Sequence, residues 1–86
     1  MGIRENSKKI VQYYLDQVIK QGNLHTRFLV QFDVLANALS LESAEYCRVC
    51  CQYLLQKGCL KVFEESADAR SIELHSSAID FLEQDN

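Results

Sequence analysis

The sequence predicts an α+β domain: a three-helix core with a two-stranded β-hairpin and a C-terminal helix. Three observations carry this. Apolar residues recur at helical spacing over 7–21 and again over 43–57. After Gly58 the period changes to strict alternation. Proline is absent and glycine occurs only three times, which argues against a turn-dense β-sandwich and against linkers or low-complexity tails. With 86 residues the expectation is one domain spanning 1–86. A chain of this size buries only about 60% of its unfolded surface on folding, so the core must be small.

Residues 7–21 read as an amphipathic helix, with Ile10, Val11, Tyr14, Leu15 and Val18 on one face. Asn6 or Ser7 is placed to cap its start, and Gly22-Asn23 to end it through a left-handed residue. Phe28, Val30 and Phe32 alternate within 24–32, the pattern of a short strand, although Leu29 spoils its polar face and a helical turn is the alternative. Asp33 then reads as the N-cap of a short helix through Leu39. Ser40-Leu41-Glu42 breaks that pattern, and Ser43 caps a longer helix whose inward stripe is Cys47, Cys50, Cys51 and Leu54. Glu45 lies in its first turn, where a carboxylate complements the helix dipole, and Lys57-Gly58 ends it.

Past Gly58, Leu60 and Val62 alternate with Lys61 and Phe63 over a strand of about 60–65. The small polar run Glu65 to Arg70 has the composition of a hairpin tip, and Ile72 and Leu74 mark the return strand. Ser76 or Ser77 would cap a closing helix with Ala78, Ile79 and Leu82 on its apolar face. The predicted interior is Leu35, Leu39, Cys47, Cys50, Leu54, Leu60, Val62, Ile72 and Leu74.

Charge is divided along the chain. Residues 1–61 hold eight of the nine Lys and Arg against five acids, whereas 62–86 hold Arg70 alone against seven acids. A basic body with an acidic end does not match a domain that wraps DNA. No apolar run reaches the roughly 18 residues that cross a bilayer, and the N-terminus lacks a signal-peptide core. The expectation is a soluble, intracellular (cytoplasmic) chain with no membrane partner.

The four cysteines are Cys47, Cys50, Cys51 and Cys59. Three fall inside one helical stretch among apolar residues, where a thiol behaves as a small buried hydrophobe. A structural zinc site presents its C-x-x-C on a turn, so Cys47 and Cys50 in mid-helix predict reduced thiols and no metal. No Gly-rich phosphate loop exists, and His25 and His75 stand apart without a matching nucleophile and carboxylate. The chain is therefore expected to be neither an enzyme nor a cofactor carrier.

The ordered elements resemble those of the winged helix-turn-helix superfamily over nearly the whole chain. The resemblance is carried by Leu35-Ala36 and Leu39-Ser40-Leu41, Ser43 to Leu54, Gln56-Lys57-Gly58-Cys59-Leu60, and Ile72 through Leu82. Two departures stand out: Ser40 where many members have glycine, and cysteines where leucine or valine is usual. The resemblance implies a winged helix whose third helix enters the major groove of DNA while its wing touches phosphate.

Carried over, the groove-facing residues would be Glu42, Ser43, Glu45, Tyr46, Arg48 and Gln52, with Lys61 and Arg70 as the basic wing positions. The implied nucleic-acid-binding set is Ser43, Arg48, Gln52, Lys61 and Arg70, in a DNA-binding regulator of transcription. Arg48 would pair with guanine and Gln52 with adenine. Glu64, Glu65 and Asp68 on the wing oppose phosphate, so DNA binding would be weak in a monomer. A palindromic site would require a homodimer. The alternative is a protein-interaction adaptor on the same scaffold, working through Tyr13, Tyr46, Tyr53 and Phe63.

Overall fold

The structure is a computed structural model that describes residues 2–66 and 69–84. It is an α+β domain of four helices and a three-stranded antiparallel sheet. In chain order the elements are α1 (Ile3–Gln21), β1 (Arg27–Gln31), α2 (Phe32–Ala38), α3 (Ala44–Gln56), β2 (Leu60–Glu65), β3 (Ala69–Leu74) and α4 (Ser77–Glu83).

The helices are set by the predicted stripes. α1 buries Ile10, Val11, Tyr14 and Val18, and α3 buries Cys47, Cys50, Cys51 and Leu54. Gly22 ends α1 at φ 66° and Gly58 follows α3 at φ 78°, both left-handed. Ser43 caps α3: its hydroxyl accepts from the Tyr46 amide at 3.0 Å.

α1, however, begins at Ile3, four residues earlier than its periodicity indicates. Asn6 and Ser7 are buried inside it and are not caps. Asn6 Nδ2 donates to the Tyr46 hydroxyl at 2.7 Å, and Ser7 Oγ donates to the Cys50 carbonyl at 3.4 Å. Polar side chains are tolerated on this buried face because α3 supplies their partners.

Asp33 is likewise not a cap. α2 starts at Phe32 with Gln31 in the cap position, which leaves Asp33 in the first turn, where its charge suits the helix dipole. Phe32, read from sequence as the end of the strand, therefore belongs to the helix. Between α2 and α3 the chain turns through Ser40 at φ 57°, with Leu41 N bonded to Ala36 O at 2.8 Å. Serine thus occupies the left-handed position that glycine adopts without steric cost.

The sheet is larger than the expected two-stranded hairpin. β1 pairs antiparallel with β3, giving the order β1-β3-β2 with β3 central. Ser66 N to Ala69 O, at 2.9 Å, closes the β2–β3 hairpin. Ala67 and Asp68 of the expected tip lie outside the described residues. A β-bulge between Val62 and Glu64 interrupts the β2 register. Ile72 and Leu74 of β3 face the helices, fully buried, with Val30 and Leu60 beside them. Leu39 and Val62, expected inside, are half-buried at the margin of this core, and Cys59 joins it instead.

α4 buries Ala78 and Phe81; Ile79 and Leu82, read as its apolar face, are only half-buried. Neither Ser76 nor Ser77 caps it through its side chain. His75 does, its Nδ1 accepting from Ser77 N at 3.1 Å, while the Ser77 hydroxyl donates to the Gly58 carbonyl at 2.7 Å. Arg4 and Lys8 lie over the Phe81 ring and donate to Gln84, fastening the end of α4 to the first turns of α1.

Two stability measurements check this account. Leu54 is 0% exposed, so Leu54→Ala is expected to cost about 2–5 kcal/mol in urea unfolding. Ser40→Gly is expected to stabilise by about 0.5–1 kcal/mol in the same assay, because it relieves the left-handed serine.

Candidate interaction site

The buried stripe of α3 fixes which residues face outward. Glu45, Arg48, Val49, Gln52 and Leu55 are exposed, with Val49 at 43% and Leu55 at 38% despite being apolar. Beside the first turn of α3 lies an open cleft of ≈ 390 Å³, lined by Gln31, Phe32, Asp33, Ala44, Glu45, Arg48 and Ala69. The start of α2 and the start of α3 form its walls, and the Arg48 guanidinium lies 6.0 Å from the centre of the Phe32 ring.

The five residues expected to meet nucleic acid do not form one surface. Arg48 and Gln52 are exposed four residues apart on α3. Ser43 spends its hydroxyl on the α3 cap. Lys61 sits opposite Glu73 in the β2–β3 register, its Nζ 4.0 Å from Glu73 Oε2. Arg70 is paired in register with Val30 and is 5% exposed.

In a strand successive side chains point to opposite faces. Arg70 thus shares the helix-facing side of β3 with Ile72 and Leu74, while Glu73, and Lys61 opposite it, take the other side. The Arg70 guanidinium packs 5.7 Å from the Phe32 ring, and its Nε lies 2.7 Å from Glu65 Oε2. That contact is an ion pair without hydrogen-bond alignment, and Nη1 is buried with no hydrogen-bond partner. A cation read as a wing contact is in fact part of the interior.

Tyr46, read as groove-facing, is half-buried and accepts from Asn6. Glu42 is exposed just before α3. Of the aromatics read as interface residues, Tyr53 is half-buried, with its ring centre 6.1 Å from that of Phe81. Tyr13 and Phe63 are exposed, and the Arg27 guanidinium stacks 3.7 Å from the Phe63 ring centre. Sequence reasoning missed Phe32 and Asp33, which enter the cleft because α2 begins one residue before the expected cap. It also missed Val49 and Leu55 as outward residues, although both follow from the helical complement of the Cys47–Leu54 stripe.

The thiols are free and buried. The Cys51 thiol is pushed up by the hydrogen bond it shares with Cys47 and then by burial. Burial alone is the leading cause of the upward shifts at Cys50, Cys59 and the Tyr14 phenol. Thiols held protonated in this way are poor nucleophiles and poor ligands. Among the described residues no three His, Cys, Asp or Glu side chains are grouped to hold a metal ion. His25 Nδ1 lies 3.0 Å from Glu73 Oε2, and the Ser77 hydroxyl beside His75 gives its proton to Gly58.

No family model, no curated protein and no solved structure matches this chain. Among the described residues no helix is long and apolar enough to cross a membrane.

The raised groups set an alkaline limit. Each keeps its proton in the folded state beyond the ordinary values of 9.0 for a thiol and 10.0 for the phenol. The unfolded chain loses those protons first, so stability from these groups is complete below about pH 9 and declines as pH rises above it. The urea midpoint is expected to fall as pH rises from about 9 to about 10.5, and Tyr14→Phe should flatten the upper part of that decline.

Proposed function

We infer that the chain is a winged-helix interaction module that takes a protein partner through α3 and the adjoining cleft. The order helix, strand, helix, helix, strand, strand, helix supports the winged-helix reading, as do the β1-β3-β2 sheet and the tight turn from α2 into α3. The observation that carries a protein partner over duplex DNA is the dispersal of the basic residues. Arg70 is inside and Lys61 is on the opposite side of the sheet from it, while Asp33 and Glu45 border the same cleft as Arg48. Non-specific DNA affinity comes from neutralised phosphates, and this face offers few cations to neutralise them.

The complementary partner is a peptide segment with Lys or Arg side chains for Asp33 and Glu45 and an apolar side chain for Val49 and Leu55. Nothing in the reading requires catalysis; the site binds.

One observation favours DNA instead: Arg48 and Gln52 stand exposed one helical turn apart, at the spacing of two base-reading side chains. With Arg70 buried, Arg48 and Lys61 are the cations of the expected set left to meet phosphate. The logarithm of affinity would then fall against the logarithm of salt with a slope of about −1 to −2.

Amide NMR titrations separate the two. A Lys- and Arg-rich peptide is expected to shift the amides of Asp33, Ala44, Glu45 and Arg48, and Glu45→Lys is expected to abolish those shifts. Mixed-sequence duplex DNA is expected to give no shifts at about 50 mM salt, where attraction is little screened. Shifts with duplex DNA that Arg48→Ala removes would reverse the assignment in favour of DNA.

A further inference from the structure

The two edges of the sheet are built differently. β2 carries Lys61, Glu64 and Glu65, and its register is broken by the bulge between Val62 and Glu64. Charged residues and bulges are the devices that keep an edge strand from pairing with another chain. β1 has neither. It pairs in unbroken register with β3 from Arg27 to Gln31, and its sequence, Arg-Phe-Leu-Val-Gln, has one charge, at its first residue. No backbone hydrogen bond joins β1 to anything beyond β3 among the described residues, so its outer row of N–H and C=O groups is open.

That edge borders a groove of ≈ 290 Å³ whose lining includes Tyr13 and Gln17 of α1, Leu29 and Gln31 of β1, and Val34 of α2. None of its lining residues is charged at neutral pH, in a chain whose residues are 24% charged. Leu29 is 67% exposed and Val34 57%.

We propose that the β1 edge and this groove are a self-association surface, occupied by a second copy of the chain. Set antiparallel about a two-fold axis through Leu29, two β1 strands pair all five residues, and no other antiparallel register does so. Leu29 then faces its own counterpart, Phe28 faces Val30, and Arg27 faces Gln31. Apolar residues meet apolar residues, the guanidinium meets an amide carbonyl, and no like charges are opposed.

The result is a continuous six-stranded sheet in the order β2-β3-β1-β1-β3-β2. The interface uses the same patch on both copies, so it closes as a dimer, and the charged, bulged β2 edges stop further addition. The proposal is independent of the partner assigned to α3, since the groove and the α3 cleft share only Gln31.

Sedimentation velocity over a concentration series tests it. The intact chain is expected to move from the 9.9 kDa monomer towards twice that mass as concentration rises. Leu29→Lys places like charges at the axis and is expected to raise the dissociation constant about tenfold or more. Because Leu29 is mostly exposed, its urea midpoint should match that of the intact chain when both are measured at concentrations where they are monomeric. Gln31→Glu sets a carboxylate opposite Arg27 and is expected to tighten the dimer about threefold. In hydrogen exchange, the outward β1 amides should gain protection in step with dimer mass.

A chain monomeric at every concentration leaves the edge to a strand of some other protein and overturns the proposal. A dimer unmoved by Leu29→Lys, or loosened by Gln31→Glu, overturns it equally. Should Leu29→Lys fail to fold, Gln31→Glu and the β1 exchange pattern decide.

Discussion

β3 runs between β1 and β2, and its alternation governs much of what the molecule can present. Ile72 and Leu74 must face the helices, because they are the largest apolar groups the strand can bury there. A period of two then sends Arg70 to the same side and Glu73 to the other, whatever their charges prefer. Arg70 is accommodated by the Phe32 ring and Glu65, and Glu73 by His25 and Lys61. Shifting the strand by one residue would release Arg70 from the core side, but it would turn Glu73 towards the helices and expose Ile72 and Leu74. Two buried large side chains outweigh that gain at about 1.5–3 kcal/mol each.

The same constraint shapes both surfaces of interest. With Arg70 drawn inward, the cleft beside α3 is left with Asp33, Glu45 and Arg48, a mixed and slightly acidic lining suited to a basic peptide. With β3 shared between two neighbours, β1 is left as an outer strand with one side unpaired. The surfaces arise from one register, yet their chemistry differs: one offers charges for ion pairing, the other an open strand edge whose single charge is Arg27.

The polar residues inside the domain show how a small core is supplemented. Asn6 and Ser7 of α1 reach α3 through Tyr46 and the Cys50 carbonyl, so the α1–α3 contact is directional as well as apolar. Cys47, Cys50 and Cys51 form the buried face of α3 with Leu54, as small apolar groups in the core. The thiols thus act as packing groups; those of Cys50, Cys51 and Cys59 are pushed up, whereas the hydrogen bond with Cys51 shifts that of Cys47 down.

The sequence by itself determined the elements whose cause is local. The stripes of α1 and α3, the left-handed glycines after them, the Ser43 cap and the change of period after Gly58 each depend on residues a few positions apart. The tertiary structure decided what depends on distant partners. Pairing of β1 with β3 joins residues 38 to 46 positions apart, so the third strand of the sheet left no mark beyond a short alternation. Asn6, Ser7 and Asp33 read as caps because such residues cap when nothing else engages them; α3 engaged Asn6 and Ser7, and an earlier start of α2 displaced Asp33. Arg70 read as a surface cation because an arginine is seldom buried. Its place inside followed from Ile72 and Leu74 claiming the core face of the strand they share with it.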